Sequence, residues 1–325
     1  MKYSDNVINV LTAKNYKGIG KAWISRNLSI NKPIETLVSL LNKDSKEDSI
    51  ITINDFITHK KMVENKINNL NGIDGVVAIG DKDFPQYRGK VKNSEHPIVL
   101  FYRGNINLLK PTNKNITVIG LLDPDNSTEI IEKEVVSELV KNGANIVSGL
   151  ALGCDSIAHR QALLSKGKTI AILPSSLSNI LPATNKELAN DIIANNGLLV
   201  TEYYEDAKSK IELNSRYQER NRLQALFSDN VILSASYAKN ELGNDSGSRL
   251  AMEYALNYSI ARSVIYDPQT DIKNPKYDLN RQLINQQTDI VIINRKNLSS
   301  IIRKIVSNKA NIQSINQSIQ TNLFE

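Results

Sequence analysis

The sequence has few of the residues that build disulfides and metal sites. Cys154 is its single cysteine, and there are three histidines among 325 residues. A lone cysteine excludes an intramolecular disulfide framework and a cysteine-based zinc site, and three histidines leave little material for a histidine-based site. We therefore expect neither a bound metal nor another cofactor.

Long apolar stretches are also lacking. No apolar run reaches about 18 residues, the length at which a membrane-spanning helix becomes the natural interpretation. The first residues, MKYSDNVINVLTAK, contain no apolar core of the kind that a secretory signal peptide has. These two absences predict a cytoplasmic protein with no membrane association.

The sequence has only a small excess of positive charge over negative charge. The chain has 40 Lys and Arg residues against 34 Asp and Glu residues, a formal net charge of +6 at pH 7. With 41% hydrophobic and 23% charged residues, the composition is that of an ordinary globular chain. The positive excess permits a polyanionic partner but does not require one.

The hydrophobic pattern divides the chain into three parts. Residues 1–73 show helical spacing of apolar residues and predict a small all-α module of the helix-hairpin-helix or SAM-like kind. Residues 74–306 alternate short apolar runs with helical stretches, which predicts an α/β core whose strands are joined by helices. Residues 307–325 are polar and predict a C-terminal tail.

Nine runs in the core predict strands, and most of them are apolar almost throughout. Such runs are typical of a parallel sheet that is covered by helices on both faces. The predicted fold is therefore a Rossmann-like, doubly wound and mostly parallel sheet, preceded by the all-α module. The predicted strands are 75–79, 97–104, 115–120, 145–149, 169–174, 198–202, 230–234, 262–267 and 289–294.

Two loops of the core are candidates for binding an anion. Ligands of open α/β sheets bind at the carboxyl ends of the strands, and the loops 148–156 and 243–249 follow predicted strands and run into helices. Both loops consist largely of small residues, so their backbone N–H groups are predicted to be free beside the positive end of a helix. Neither loop matches the dinucleotide-binding pattern Gly-x-Gly-x-x-Gly or the P-loop pattern.

Another candidate lies in the helical module. Gly18 and Gly20 flank one residue between two predicted helices, and Lys21 follows. In helix-hairpin-helix modules a turn of this kind grips a DNA phosphate through its backbone N–H groups. The alternative is a plain turn in which glycine ends the first helix.

Several motifs of the core occur together in a fixed order. SGLALGCDSIAHRQAL (148–163) followed by GKTIAIL is similar to the signature SG-x-A-x-G-x-D-x-x-AH-x-x-AL…G-x-TIAVL. ERNRLQALFSDNVIL (219–233) is similar to x-RNR-x-x-AGLS-x-x-V-x-V, and FPQYRGK…HPIVLFYRGN (84–105) is similar to YP-x-x-L…P-x-VLF-x-KGN. These motifs, over about residues 80–295, resemble the DNA-processing protein A family, also called DprA or Smf.

The resemblance implies a protein that binds single-stranded DNA in a pocket at the carboxyl edge of the sheet and is not an enzyme. It also implies a homodimer that works with a RecA-type recombinase in DNA uptake or recombination. Asp155 and His159 are predicted to brace the loop before their helix through a hydrogen bond to each other. The residues predicted to bind DNA or phosphate are Ser148, Gly149, Gly153, Lys168, Arg216, Arg220, Asn221, Arg222, Ser246, Gly247 and Ser248.

One of the departures from the family pattern bears on phosphate binding, and one matched motif has a plainer interpretation. Where the family has Gly-Ser-Arg after the first core strand, this chain has Gly120-Leu121-Leu122, so an arginine that would hold a phosphate is missing. Arg222, in the RNR motif, could instead pair with Glu202, Glu219 or Asp229 inside the chain.

Two other functions stay open on the same fold. One is an enzyme that resembles nucleoside-monophosphate phosphoribohydrolases, whose glycine loop and following glutamate are partly matched by Ser246-Gly247-Ser248 and Glu253. The other is a sensor that binds a small nucleotide in the loops 148–156 and 243–249.

The tail carries a motif of its own. Gln320, Leu323 and Phe324 fit the Gln-x-x-Leu-Phe pattern by which bacterial replication proteins bind the sliding clamp. In that mode the two apolar side chains enter a pocket while the glutamine makes hydrogen bonds. The sequence therefore predicts a sliding-clamp partner, and the alternative is a chance occurrence of two apolar residues near the chain end.

Overall fold

A computed structural model describes residues 2–239 and 247–307 of the chain. Within these residues the chain forms eleven α-helices and nine strands, joined by loops and short 3-10 turns. The helices are α1 (Asp5–Lys14), α2 (Lys21–Asn27), α3 (Ile34–Asp44), α4 (Ile53–Asn68), α5 (Asn126–Lys141), α6 (Cys154–Leu164), α7 (Lys186–Ala194), α8 (Lys210–Leu226), α9 (Gly247–Asn257), α10 (Asp278–Gln286) and α11 (Leu298–Ser307). The strands are β1 (Gly75–Ala78), β2 (Val99–Gly104), β3 (Asn115–Ile119), β4 (Asn145–Ser148), β5 (Thr169–Ile172), β6 (Leu198–Thr201), β7 (Asn230–Leu233), β8 (Ala261–Ile265) and β9 (Val291–Ile293).

All nine strands belong to one sheet. Their order is β1-β2-β6-β5-β4-β3-β7-β8-β9. The strands from β6 to β9 in this order pair in parallel, whereas β2 pairs antiparallel with both β1 and β6. Each predicted run coincides with one of these strands, so the predicted α/β fold with a mostly parallel, doubly wound sheet is confirmed.

The central strands are apolar on both faces because helices cover both faces. In β3, Ile116 and Val118 belong to an apolar cluster with Val135 of α5 and Ile302 of α11. Ile119 of the same strand belongs to the cluster on the opposite face. Side chains of a strand alternate between its faces, so a strand that is buried at every residue contributes to two apolar layers.

The four N-terminal helices pack directly onto the sheet. Lys2 donates its N–H to the carbonyl of Asp74, and Val76 donates its N–H to the carbonyl of Lys2. Val7 and Leu11 of α1 are buried in the same apolar cluster as Phe101 of β2. The helical module and the sheet therefore share one apolar layer.

The direction of the sheet reverses beside β3. From β3 the chain moves through β4, β5 and β6 towards one edge, and it then returns to β7 and continues through β8 and β9 towards the other edge. In an open α/β sheet, such a reversal leaves a crevice at the carboxyl ends of the two strands involved. Here these strands are β3 and β7.

Two kinds of feature are absent from residues 2–239 and 247–307. None of their helices combines the length and the apolar character that crossing a membrane requires. No three of their His, Cys, Asp and Glu side chains form a group that could hold a metal ion.

Candidate functional site

A cavity of about 850 Å³ lies where the carboxyl ends of β3 and β7 open to the surface. We call it the switch-point cavity. Its walls are the loop 120–123 after β3, the loop before α6, one face of α8 and the first turn of α9. Its volume lies in the range of small-molecule sites, so it admits a group as large as a nucleotide.

Arg220 is the only cationic side chain that lines the switch-point cavity among the described residues. It is 6% exposed, and its Nη1 lies 3.6 Å from Oδ2 of Asp155. Its Nε has no hydrogen-bond partner in the described part of the chain. Burial lowers the pKa of Arg220, and the carboxylate of Asp155 opposes that shift. A buried guanidinium in the wall of a cavity favours an oxygen acceptor such as a phosphate or a base carbonyl.

Asp155 occupies the anion position that the sequence predicts for a ligand. Its Oδ2 accepts hydrogen bonds from the N–H groups of Gly149 (3.1 Å) and Ala151 (3.3 Å). These N–H groups are therefore not free, and the prediction that loop 148–156 is an open anion-binding loop is wrong. Gly149 has a packing role instead, since a Cβ atom there would overlap the guanidinium of Arg220.

Ser148 and Gly153 also serve the loop internally. The hydroxyl of Ser148 donates to the carbonyl of Val118 at 2.7 Å. Gly153 precedes α6 with φ of 68°, and a Cβ atom there would collide with the carbonyl of Leu121. Cys154 donates its N–H to that same carbonyl at 2.9 Å. Neither Ser148 nor Gly153 is among the residues that line the cavity.

The first turn of α9 forms the wall opposite this loop. Asn221 of α8 donates its side-chain amide to the carbonyl of Gly247 at 3.0 Å, and the hydroxyl of Ser248 donates to the carbonyl of Gly120 at 3.0 Å. Asn221, Gly247 and Ser248 all line the cavity. The positive end of α9 therefore lies at the same cavity as the buried Arg220, which favours an anionic ligand.

Aromatic and apolar side chains complete the walls. Tyr217, whose ring centroid is 5.9 Å from Cζ of Arg220, and Tyr237 both line the cavity. Leu122 and Leu152, which also line it, are 67% and 47% exposed. The cavity thus offers flat and apolar surface for a nucleobase beside a single buried cation.

His159 does not brace the loop as predicted. Its Nδ1 lies 2.6 Å from the hydroxyl of Thr169, whereas the carboxylate of Asp155 faces the loop. Burial, with a smaller contribution from Arg220, lowers the pKa of His159 to about 3. The predicted Asp155–His159 hydrogen bond is therefore wrong, while Asp155 alone holds the loop.

Arg216 and Arg222 lie on the other face of α8. Nη2 of Arg222 lies 2.7 Å from each carboxylate oxygen of Glu202, and Arg222 is 3% exposed. Arg216 donates to Glu212 and to the carbonyl of Glu205. Neither lines the switch-point cavity. The geometry therefore favours the internal ion pair for Arg222, and the RNR motif lies within α8.

Lys168 lies at the amino ends of the strands, opposite the switch-point cavity. It directly precedes β5, so it is at the amino end of that strand, and its ammonium donates to the carbonyl of Asn195 at 2.9 Å. The prediction that Lys168 joins the carboxyl-edge site is wrong for this reason.

The hairpin turn of the helical module is also engaged within the chain. Lys17 donates its N–H to Glu47, and Ile19 donates its N–H to the carbonyl of Tyr16. Gly18 has a φ of 84°, and Gly20 precedes α2 with nothing near its Cβ position. The ammonium of Lys21 lies 2.6 Å from Glu219 of α8. This geometry does not favour the phosphate contact predicted for Gly18, Gly20 and Lys21.

Some predicted residues fall outside the described parts of the chain. Ser246 belongs to the segment 240–246, and Gln320, Leu323 and Phe324 belong to the segment 308–325. Their predicted roles stay predictions.

The sequence analysis did not predict three residues that line the cavity: Tyr237, which follows β7, and Asn214 and Gln218 of α8. Tyr237 follows β7 by four residues, so the rule about carboxyl ends of strands could have found it. Gln218 and Asn214 lie about one and two helical turns before Asn221, and a helix predicted over 210–226 would have placed them on the same face as Asn221.

The comparisons with known proteins agree on one family. The family model for DNA recombination-mediator protein A matches residues 75–303, more than two thirds of the chain. Protein Smf from Synechocystis sp. is 28% identical over 224 residues, which are 68% of this chain and 52% of that protein. DNA processing protein DprA from Streptococcus pneumoniae is 34% identical over 160 residues, which are 49% of this chain and 52% of that protein. The chain thus spans about half the length of these curated relatives.

Two solved structures are similar to this fold. DNA processing protein A from Streptococcus pneumoniae superposes with a TM-score of 0.64 at 23% identity, over 90% of this chain and 95% of that one. DNA processing protein A from Helicobacter pylori superposes with a TM-score of 0.53 at 29% identity, over 69% of this chain and 99% of that one. The latter structure was described for its single-stranded DNA binding mode.

Proposed function

The chain belongs to the DNA recombination-mediator protein A family, and from this premise we propose that it binds single-stranded DNA in the switch-point cavity. The observation that carries the proposal is Arg220, a buried guanidinium that lines a cavity of nucleotide size. The Helicobacter pylori relative, described for single-stranded DNA binding, supports the choice of ligand.

The cavity's chemistry suits one nucleotide of a strand. A phosphate or a base carbonyl would accept from Arg220 at the positive end of α9, and a base would lie against Tyr217 or Tyr237. Asp123 and Asp155 also line the cavity, so the net charge of the walls is not positive. We therefore expect weaker dependence on salt than a surface rich in lysine and arginine would give.

A titration of single-stranded oligonucleotide at several salt concentrations tests this proposal. Arg220→Gln should weaken binding at least tenfold and make the slope of log affinity against log salt less negative by about 0.7. Arg220→Lys keeps the charge but loses the planar guanidinium, so its affinity for the oligonucleotide should lie between those of the unaltered protein and Arg220→Gln. Arg303→Gln on α11, an exposed arginine far from the cavity, is the matched control. Absence of binding by the unaltered protein at low salt would refute the proposal.

The partners follow from the family and from the tail, and each is a separate proposal. We propose a RecA-type recombinase as the protein that receives the bound strand, and a homodimer as the working form. Affinity of the last dozen residues for the sliding clamp tests the motif of Gln320, Leu323 and Phe324. Replacing Leu323 and Phe324 by Ala should abolish that affinity.

An enzymatic role is less well supported by the geometry. Glu253, which a phosphoribohydrolase would need at the sugar, does not line the cavity, and its half-exposed side chain pairs with Arg249 on the surface of α9. We therefore propose a binding protein. Release of free base from a nucleoside monophosphate would favour the enzyme instead, and displacement of bound DNA by a mononucleotide would favour the sensor.

A further inference from the structure

Helix α8 has two functional faces. Tyr217, Arg220 and Asn221 line the switch-point cavity, whereas Glu219 and Arg222 do not. Each residue turns an α-helix by about 100°, so positions 216, 219 and 222 fall on the side away from 217, 221 and 224. A displacement of α8 from its far side therefore moves the cavity wall.

The far face carries a cluster of charged side chains, which we call the α8 charge cluster: Lys21, Glu202, Glu219 and Arg222. Glu202 accepts from Arg222 at 2.7 Å and lies 3.7 Å from the ammonium of Lys21. The same ammonium lies 2.6 Å from Glu219. Lys21 thus bridges the carboxylate that follows β6 and the carboxylate on α8.

The charges of the cluster depend on one another. Glu202 and Arg222 have 6% and 3% of their side-chain surface exposed, so each needs the other as a partner. Burial alone would raise the pKa of Glu219, but the Lys21 ammonium reverses this effect and holds that pKa below its usual range. The hydroxyl of Tyr203 adds a longer contact to Glu219, at 3.4 Å.

Lys21 is fixed by the helical module and not by the sheet. It is the first residue of α2, whose Trp23 is buried and donates its indole N–H to Asp44 of α3 at 2.7 Å. Ser25 of the same helix contacts His96 of the core. Helix α2 therefore reaches the core at two points, and one of them is α8.

We propose that the helical module holds the cavity face of α8 in place through Lys21, which makes Lys21 a positioning residue and not a DNA contact. This inference rests on the proposed function of the switch-point cavity. The hairpin predicted to bind DNA instead contacts the face of α8 that points away from the cavity.

Hydrogen exchange of the full chain without DNA tests the structural half of the proposal. Lys21→Met should raise the exchange rate of amides in 210–226 about fivefold, which corresponds to loss of a partly exposed ion pair. Lys21→Arg should restore the protection. Lys17→Met is the matched control, because Lys17 lies on the same hairpin and forms no ion pair with a described residue. Unchanged exchange in Lys21→Met would overturn the proposal.

DNA titrations of the same variants test the functional half. Lys21→Met should weaken single-strand binding about fivefold with an unchanged salt slope, since no phosphate contact is lost. Glu219→Gln should weaken binding too, and the double variant should lose no more than either single variant. If Lys21 contacts a phosphate, its loss makes the slope less negative by about 0.7 and Glu219→Gln strengthens binding, and either result overturns the proposal. If the unaltered protein binds no DNA, the proposed function fails, while the exchange rates still decide whether Lys21 orders α8.

Discussion

At Gly149 the backbone passes so close to Arg220 that no side chain fits between them. Gly149→Ala should displace the guanidinium from Asp155 and cost about 1–3 kcal/mol in the free energy of unfolding. Single-strand affinity should fall along with stability, because Arg220 lines the cavity. Urea unfolding gives the stability, and Gly20→Ala is the control, since the Cβ position of Gly20 is open. Equal stability of the two variants would show that Arg220 moves aside without cost.

Glu132 makes the stability of the fold depend on pH. Its side chain is fully buried in α5, and burial, opposed by the nearby Cys154 and Ser234 side chains, raises its pKa to about 8. Its pKa in the unfolded chain is near the ordinary value of about 4.3. Between these values the folded state holds a proton that the unfolded state lacks, so stability falls as pH rises from about 5 to 8.

The variant Glu132→Gln removes this titration. Its unfolding free energy should stay flatter between pH 5 and pH 8, without the loss of up to about 1.4 kcal/mol per pH unit that one linked proton gives. Glu134→Gln, on the same helix but partly exposed and paired with Arg295, should keep the pH dependence of the unaltered protein. Urea titrations at four pH values measure it, and identical profiles for all three proteins would contradict the assignment.

At the scale of single elements, the loop after β3 offers a gain-of-function test. Leu122 occupies the position where the resembled motif has arginine, and it lies at the cavity rim with 67% of its surface exposed. Leu122→Arg should therefore be tolerated and should strengthen single-strand binding, with a salt slope more negative by about 0.7. Leu164→Arg, at the exposed end of α6, adds the same charge away from the cavity and is the control. Equal gains in both variants would mean that charge alone, and not the cavity, attracts DNA.

The elements themselves could be read from the sequence, but their faces could not. Runs such as 231–233 are apolar because helices cover both faces of the sheet, and this pattern does not depend on how individual side chains pack. Arg220 and Arg222 are two residues apart on α8, which separates them by about 200° around the axis. One lines the cavity and the other pairs with Glu202, and only the packing of α8 on its neighbours decides which.

The same limit explains the loop before α6. Small residues in 148–156 predict free N–H groups, but Asp155, in the first turn of α6, accepts hydrogen bonds from them. A sequence pattern predicts the N–H groups of the loop but not which acceptor they bind. The acceptor depends on the turn at Gly153, where φ is 68°. Lys168 is a different case, because its place directly before β5 already assigns it to the amino end of that strand.

At the scale of the whole molecule, the helical module and the sheet are bound to each other by apolar contact as well as by charge. Val7, Leu11 and Trp23 of the module belong to the same apolar cluster as Leu100 and Phe101 of β2. Separation of the two parts would expose these side chains, and each fully buried one contributes about 1.5–3 kcal/mol. A module that positions α8 must remain attached for as long as the sheet is folded.

We therefore expect the module and the sheet to unfold in one transition. Trp23 is the single tryptophan of the chain and is buried in α2, so its fluorescence reports on the module alone. Far-ultraviolet circular dichroism reports on the whole chain, most of whose strands and helices lie in the core. The two urea transitions should coincide within experimental error, as a two-state process requires. In Lys21→Met both should shift together to lower urea, because a weakened link within one cooperative unit lowers the stability of that unit. A tryptophan transition that precedes the circular dichroism transition would mean that the module detaches first, and α8 would then lose its support before the cavity unfolds.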